Sequence, residues 1–287
     1  MTNTKELKIG IVGHGFVGKA TDWGFNKHTN KFIVDPKIGT NIDQLSEFNP
    51  ELIFVCVPTP MGENGVQDSS IIEAVVKELS TKFLESIIVI KSTVLPSILQ
   101  KLEKANKKII YNPEFLREKH ANNDFMNSEM IIFGGNKDIA SKVSRFYLNH
   151  SRCKSTQHIF MDISSASLVK YSINTFLAAK VLFFNELNDV FNKLESNDDW
   201  KKFIDTLSLD KRIGESHMNV PGHDGKKGFG GACFPKDTAA LLKYAEDLGL
   251  ELDILKSVIN KNNMIRSQYT ELDDREKEQN ISFDDKI

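Results

Sequence analysis

Short runs of consecutive apolar residues alternate with amphipathic stretches through the first 161 positions. LKIGIV (7–12), KFIVD (31–35), ELIFVCVP (51–58), SIIVIKST (86–93), KIIYNP (108–113), EMIIFG (129–134) and QHIFM (157–161) read as strands. Most lack the polar alternation of a half-exposed strand, so both faces are expected to be covered. SSIIEAVVKELSTKF (69–83), LPSILQKLEKAN (95–106) and KDIASKVSRFYLNH (137–150) carry apolar positions at helical spacing. Strands alternating with helices predict an α/β fold with a doubly wound parallel sheet.

The pattern changes after 161. SSASLVKYSINTFLAAKVLFFNELNDVFNKLES (164–196) has no proline or glycine and predicts one long helix. Its middle is apolar on nearly every face, which suits burial or sharing with a second copy of the chain. WKKFIDTLSLDKRIG (200–214) reads as a helix and a polar turn carrying Arg212. A glycine-rich loop leads to further helices at 238–249 and 250–269. The expected organisation is a sheet domain over 1–161, then a long connecting helix and a smaller all-helical domain over 162–270. The charged segment 271–287 lacks periodicity and is expected to be a flexible tail.

The first strand runs into Gly13, Gly15 and Gly18, a G-x-G-x-x-G followed by a helix pattern. Gly13 suits the tight turn, Gly15 the approach of a pyrophosphate, and Gly18 close helix–strand packing. Phe16 and Val17 open the helix, whose N-terminus offers N–H groups to phosphate. Asp35 ends the second strand, where a carboxylate can bond a ribose 2′-OH and repel a 2′-phosphate. These features predict a Rossmann-type domain that binds NAD rather than NADP. Other strand ends place Thr59, Thr93 and Glu114 at the same sheet edge, where ligands of such sheets bind.

Composition removes several alternatives. The net charge of −2 gives no basic field for nucleic acid. No apolar run is long enough to span a membrane, and MTNTKELKIG has no apolar leader core. Cys56, Cys153 and Cys233 are odd in number and far apart, which argues against a disulfide framework and a zinc site. No metal is expected, and a reducing cytoplasmic setting is.

GFGGACFPKD (228–237) is the most unusual stretch. Cys233 precedes a helix start, whose dipole favours an anion, and Lys236 adds a charge. The preceding glycines leave room for a substrate. Asp237 suits a cap, a loop anchor or a water holder. An inert cysteine in a glycine turn fits the local pattern equally well. Cys56 in an apolar strand and Cys153 in a loop read as structural or incidental. Lys170 and Asn174 share a helix face. The ordinary reading of a helix lysine is a solvated charge, but Lys170 sits among Leu168, Val169, Tyr171 and Ile173.

GFGGACFPKD, NPEFLRE (112–118), IKST (90–93), VKYSINT (169–175), FFNEL (183–187), DKRIG (210–214) and the N-terminal glycine motif together resemble the UDP-glucose/GDP-mannose dehydrogenase family. The resemblance spans nearly the whole chain and is specific in combination. It implies oxidation of a nucleotide-sugar C6 alcohol to the acid with two NAD+, UDP-glucose being the favoured substrate. GDP-mannose, another nucleotide sugar, or a catalytically weak NAD-binding protein remain alternatives. Cys233 matches the family nucleophile, and Lys170 and Asn174 the groups that stabilise oxyanions. Asp237 and Thr93 match the pair that positions water, and Glu118 the glutamate of thioester hydrolysis and cofactor contact. Gly13, Gly15, Phe16, Val17, Gly18, Asp35, Thr59, Thr93, Glu118 and Lys236 map to the NAD site. Glu114, Phe115, Leu116, Lys170, Asn174, Arg212, Phe229 and Gly230 map to the sugar-nucleotide site. A homodimer through the long helix is implied. Family members continue into a third domain, so a separate chain supplying it is a candidate partner. Lys226 and Lys227 are candidates to reach a diphosphate and partly replace it, a solvated charge pair being the equal alternative.

Overall fold

The computed structural model describes residues 6–283, with Glu118 described by its backbone only. The chain divides into two compact units, 1–59 with 68–170 and 60–67 with 171–287.

The first unit begins β1 (Leu7–Val12), α1 (Phe16–Gly24), β2 (Thr29–Val34), α2 (Ile42–Phe48) and β3 (Leu52–Val55). It continues α3 (Ser70–Lys82), β4 (Ile87–Ile90), α4 (Pro96–Ala105), β5 (Ile109–Tyr111) and α5 (Ala121–Met126). β6 (Ile131–Gly135), α6 (Lys137–His150) and β7 (His158–Met161) complete one seven-stranded sheet in the order β2-β1-β3-β4-β5-β6-β7.

The apolar strand runs serve two cores at once. Ile53, Val55, Ile88 and Ile90 point into one with Leu45, Val76 and Leu99. Leu52, Phe54, Ile87 and Val89 point into the other with Phe25, Val143 and Tyr147. Each such side chain withdrawn from water contributes about 1.5–3 kcal/mol, and the period of two sends successive residues to opposite faces. The sheet is parallel except at one junction, where Ile110 pairs with Gly135 and Tyr111 with Gly134 in antiparallel register. The sheet is thus the expected doubly wound one, mostly parallel, with a single antiparallel junction. The only α-helix between β5 and β6 is the six-residue α5, about 9 Å long at 1.5 Å per residue. That is too short for a crossover, and the chain returns down the sheet.

α7 (Ile163–Phe191) begins in the first unit, where Ile163 and Ala166 are buried in the sheet core. The compact units therefore part at 170/171, not at 161/162. The second unit holds the rest of α7, α8 (Trp200–Ser208), α9 (Phe234–Asp247), α10 (Asp253–Arg266) and α11 (Asp274–Glu278). It also takes in 60–67, where the Met61 N–H donates to the Gln279 carbonyl at 3.0 Å and Gln67 Nε2 to the Tyr171 hydroxyl at 2.9 Å. Ala178, Leu182 and Phe229 form one small core, and Phe184, Ile204 and Met218 another.

Two expectations change here. The segment after 270 is packed through 283, not frayed. Asp273 and Glu276 form a capping box for α11, Glu276 is fully buried, and Ile281 and Phe283 are buried with it. The middle of α7 is not buried all round: Phe176, Phe183 and Val190 are exposed at seven-residue intervals. Among the described residues no helix is long and apolar enough to cross a membrane.

Candidate active site

The nucleotide-binding features belong to the first unit. β1 ends on Gly13, which has φ +90 and donates its N–H to the Val34 carbonyl at 2.8 Å. A Cβ there would lie 2.7 Å from the Cys56 carbonyl oxygen, and one on Gly18 would collide with the Gly13 carbonyl. Gly15 is the N-cap of α1, with nothing within 4 Å of where its Cβ would be. The turn is thus closed on the sheet side and open at the helix N-terminus, the cradle a pyrophosphate needs. Phe16 and Val17 form the first turn of that helix.

Asp35 follows β2, where its Oδ2 accepts the His14 N–H at 2.7 Å and its Oδ1 the Lys37 N–H at 2.8 Å. Burial alone would raise its carboxyl, but the two backbone hydrogen bonds outweigh it and hold the group below the ordinary range. The ionised carboxylate keeps lone pairs for a ribose hydroxyl. The residues present therefore fit NAD.

Thr59 and Thr93 are both buried, and Thr59 Oγ1 donates to the Thr93 carbonyl at 2.9 Å. Lys170 is also buried; its Nζ donates to the Glu114 carbonyl at 2.6 Å and lies 3.5 Å from Glu114 Oε1. The same ammonium lies 5.1 Å from the centre of the Phe115 ring, while Glu114 Oε2 accepts the Leu116 N–H at 2.6 Å. The NPEFL segment is thereby folded around Lys170, which is not a solvated charge. Glu118 opens a short 3-10 turn, and its side chain lies outside the described residues.

Composition did not point to Lys91. It lies just beyond β4, fully buried, with Nζ donating to Asn112 Oδ1 at 2.9 Å and the Tyr147 hydroxyl at 3.2 Å. Burial pushes its amine down to about 8 and pushes the nearby Cys56 thiol up to about 12. Cys153 is likewise raised by burial. Neither thiol is suited to act as a nucleophile.

The candidate nucleophile belongs to the second unit. Cys233 is exposed and is the N-cap of α9, with Pro235 in the first turn. Its carbonyl accepts the Asp237 N–H at 3.0 Å. Asp237, fully buried, accepts from Asn174 Nδ2 at 2.6 Å on Oδ2 and from Lys236 Nζ at 2.6 Å on Oδ1. Asn174 thus meets Asp237, and Asp237 pairs with Lys236, one helical turn after the thiol.

Other candidates take different places. The Phe229 side chain is packed in the Ala178–Leu182 core, and its backbone exchanges hydrogen bonds with Asn262 at 2.7 and 3.0 Å. A Cβ on Gly230 would collide with Arg266 and Glu276. The Phe229 ring and the side of Gly230 where a Cβ would stand thus pack against the unit's own residues. Arg212 is exposed and forms a bidentate pair with Asp210 in its own turn. Lys226 donates to the Glu271 carbonyl and Lys227 to Asp189, each at 2.6 Å. Both are engaged within the unit, contrary to the expected reach for a diphosphate. Asn262, Arg266 and Glu276 were not singled out from sequence; their buried polar pairing is set by tertiary packing.

Comparison with known proteins matches most of the chain to one family. The NAD binding domain of the UDP-glucose/GDP-mannose dehydrogenase family matches residues 37–150, and the family's central domain matches 164–264. A UDP-glucose 6-dehydrogenase of Rickettsia felis is 34% identical over 256 residues, covering 85% of this chain and 55% of that protein. One from Campylobacter jejuni is 30% identical, covering 93% of this chain and 74% of that protein. The solved UDP-glucose dehydrogenase of Pyrobaculum islandicum superposes with a TM-score of 0.75 at 26% identity, over 92% of this chain and 69% of that one. The chain spans only a little over half the length of the Rickettsia relative. With both family domains matched in order along the chain and a relative 34% identical over 85% of it, the chain belongs to the UDP-glucose/GDP-mannose dehydrogenase family.

Proposed function

We propose that the protein oxidises the C6 alcohol of a nucleotide sugar to the carboxylate, with UDP-glucose the preferred substrate. The observation that carries the reading is Cys233: an exposed thiol at the N-cap of α9, one turn before a buried Asp237 held by Asn174 and Lys236. NAD+ held at the glycine cradle and Asp35 supplies the acceptor for both hydrides.

The chain's own residues handle the carbon and the protons. After the first oxidation the Cys233 thiolate adds its sulfur to the C6 aldehyde, forming a C–S bond and a hemithioacetal oxyanion. Loss of the second hydride converts this adduct to a thioester. Water then adds to the thioester carbon and the C–S bond breaks, returning the thiolate and releasing the acid. A thiolate suits this sequence because it is both a good nucleophile and a good leaving group. Lys170 and Asn174 are assigned to the oxyanions, whose charge they stabilise. Asp237 and Thr93 are assigned to the hydrolytic water, and Glu118 to hydrolysis. The protein is proposed to act as a homodimer through α7, supported by the exposed row Phe176, Phe183 and Val190.

The test is NADH absorbance with purified protein, excess NAD+ and a limiting amount of UDP-glucose, with GDP-mannose and UDP-N-acetylmannosamine in parallel. Two NADH per UDP-glucose support the reading. NAD binding with no NADH from any sugar would leave a binding protein that carries the family fold.

A further inference from the structure

The loop that delivers Cys233 is held from behind by charged and polar side chains that the proposed chemistry does not use. The Gly228 N–H donates to Asn185 Oδ1 at 3.0 Å, and Asn262 pairs with both backbone groups of Phe229. The Gly231 N–H donates to Glu276 Oε1 at 2.9 Å. Three segments, α7, α10 and α11, thus each supply one buried side chain to the loop, holding Gly228, Phe229 and Gly231.

Glu276 is the hub. Its Oε1 also accepts Arg266 Nη2 at 2.9 Å, and its Oε2 accepts the Asp273 N–H at 2.9 Å. Arg266 is almost fully buried and reaches Asp224 Oδ2 through Nη1 at 2.6 Å. Gly230 lies against both members of the pair, with no room for a Cβ. Gly231 then turns with φ +74, and Cys233 follows two residues later as the N-cap of α9. Fixing each backbone residue costs about 1–2 kcal/mol, so a loop carrying an exposed thiol would move unless something offset that cost. A buried carboxylate with three hydrogen-bonded donors does so.

We propose that Glu276 is a positioning residue for Cys233: α11 acts as a strap whose carboxylate, braced by Arg266, sets the path of Gly230 and Gly231 and so the place of the thiol at the helix N-cap. Its purpose rests on the reading of Cys233 as the nucleophile; its geometry does not. If the strap only docked α11 onto α10, removing the carboxylate would lower stability and leave the thiol unchanged.

Three variants separate these cases: Glu276→Ala, Glu276→Gln and Gly230→Ala. Iodoacetamide labelling of the Cys233 peptide is followed by mass spectrometry, and hydrogen exchange of 228–233 is compared with that of α9 and α10. The expected result is Cys233 labelling slowed about fivefold or more in Glu276→Ala, with faster exchange confined to the loop. Glu276→Gln, whose amide oxygen still accepts from Gly231, recovers part of the rate. Gly230→Ala keeps every charge and pushes on the pair from the loop side, so it reproduces the slowing even if Glu276→Ala fails to fold. Folded variants with wild-type labelling and loop exchange would overturn the proposal. Neither readout needs turnover, so absence of NADH production in the wild type would count against the proposed function alone. Where turnover is present, kcat falls in Glu276→Ala while the KM for NAD+ stays unchanged.

Discussion

Asn174 Nδ2 lies 2.6 Å from Asp237 Oδ2, joining α7 to the first turn of α9 across 63 residues of sequence. The same carboxylate neutralises Lys236, so a single buried group organises both neighbours. Removing it leaves a lysine buried without its partner. Asp237→Ala is expected to destabilise the protein by about 3 kcal/mol, and Asn174→Ala by about 1 kcal/mol. Urea denaturation of both single variants and the double variant would give a coupling energy of about 0.5–3 kcal/mol. Additive effects would show that the contact carries no coupling.

Cys233→Ser should bind NAD+ as the wild type does and lose the two-step oxidation. A hydroxyl at the α9 N-cap is a far weaker nucleophile at neutral pH than a thiolate. NADH yield per UDP-glucose reads this directly. Two NADH in the variant would remove the covalent route.

Asp35→Ala should narrow the preference for NAD over NADP, because the charge that opposes a 2′-phosphate is gone. The wild-type carboxyl is held below its ordinary range, so it stays ionised from neutral pH down to mild acid. The preference should therefore be flat between pH 8 and pH 7, above the range of about pH 6 where the 2′-phosphate itself takes up a proton, by comparing the two cofactors' binding constants. The stability its hydrogen bonds confer is present above the unfolded-chain value and lost as pH falls through the lower, folded value.

Lys91 should give the protein a rise in stability with alkaline pH. Its folded amine titrates near 8, against 10.5 for the unconstrained group. Between these values the unfolded chain binds a proton that the folded chain does not, so unfolding becomes costlier as pH rises. The gain from pH 8 to 9 is about 1 kcal/mol. Above about 9 the Cys56 thiol, held near 12, opposes it by keeping a proton that the unfolded chain loses. Denaturation at pH 7, 8 and 9 should show the rise in the wild type and none in Lys91→Met.

Phe183→Glu, with its side chain on the exposed row of α7, should leave the fold intact and yield a monomer in sedimentation analysis. An unchanged mass would move the dimer contact elsewhere or dispense with it.

Much of the first unit was legible because a buried strand needs no partner to announce itself. LIFV and IIVI are apolar at every position since both faces are covered. Gly13 and Gly18 were legible because no side chain fits where they stand. The antiparallel junction at β6 was not, since EMIIFG has the same composition in either direction. α2 and α11 are announced by capping boxes, Asn41 with Gln44 and Asp273 with Glu276. In a polar segment, such four-residue signals are outweighed by the lack of an apolar stripe. At the site, Cys233, Asp237 and Asn174 could be singled out by residue type. The packing of Phe229 and Gly230 was not legible, because an aromatic and a glycine in a loop look alike whether they face a ligand or Arg266. The ion pair behind them joins residues from α10 and α11 that no local periodicity links.

The hydrogen bond from Met61 to Gln279 also sets an order of assembly. A ribosome delivers the whole sheet, through β7, long before it delivers Gln279. The first unit can close its two cores on its own schedule, while the excursion 60–67 waits for its partner from near the other end of the chain. Closing so long a loop costs several kcal/mol in entropy, of the order (3/2)RT ln n, so this contact is expected to form late and to open first. The segment that braces the cysteine loop thus arrives after the loop itself, and until it does the thiol is a side chain on an unfinished turn.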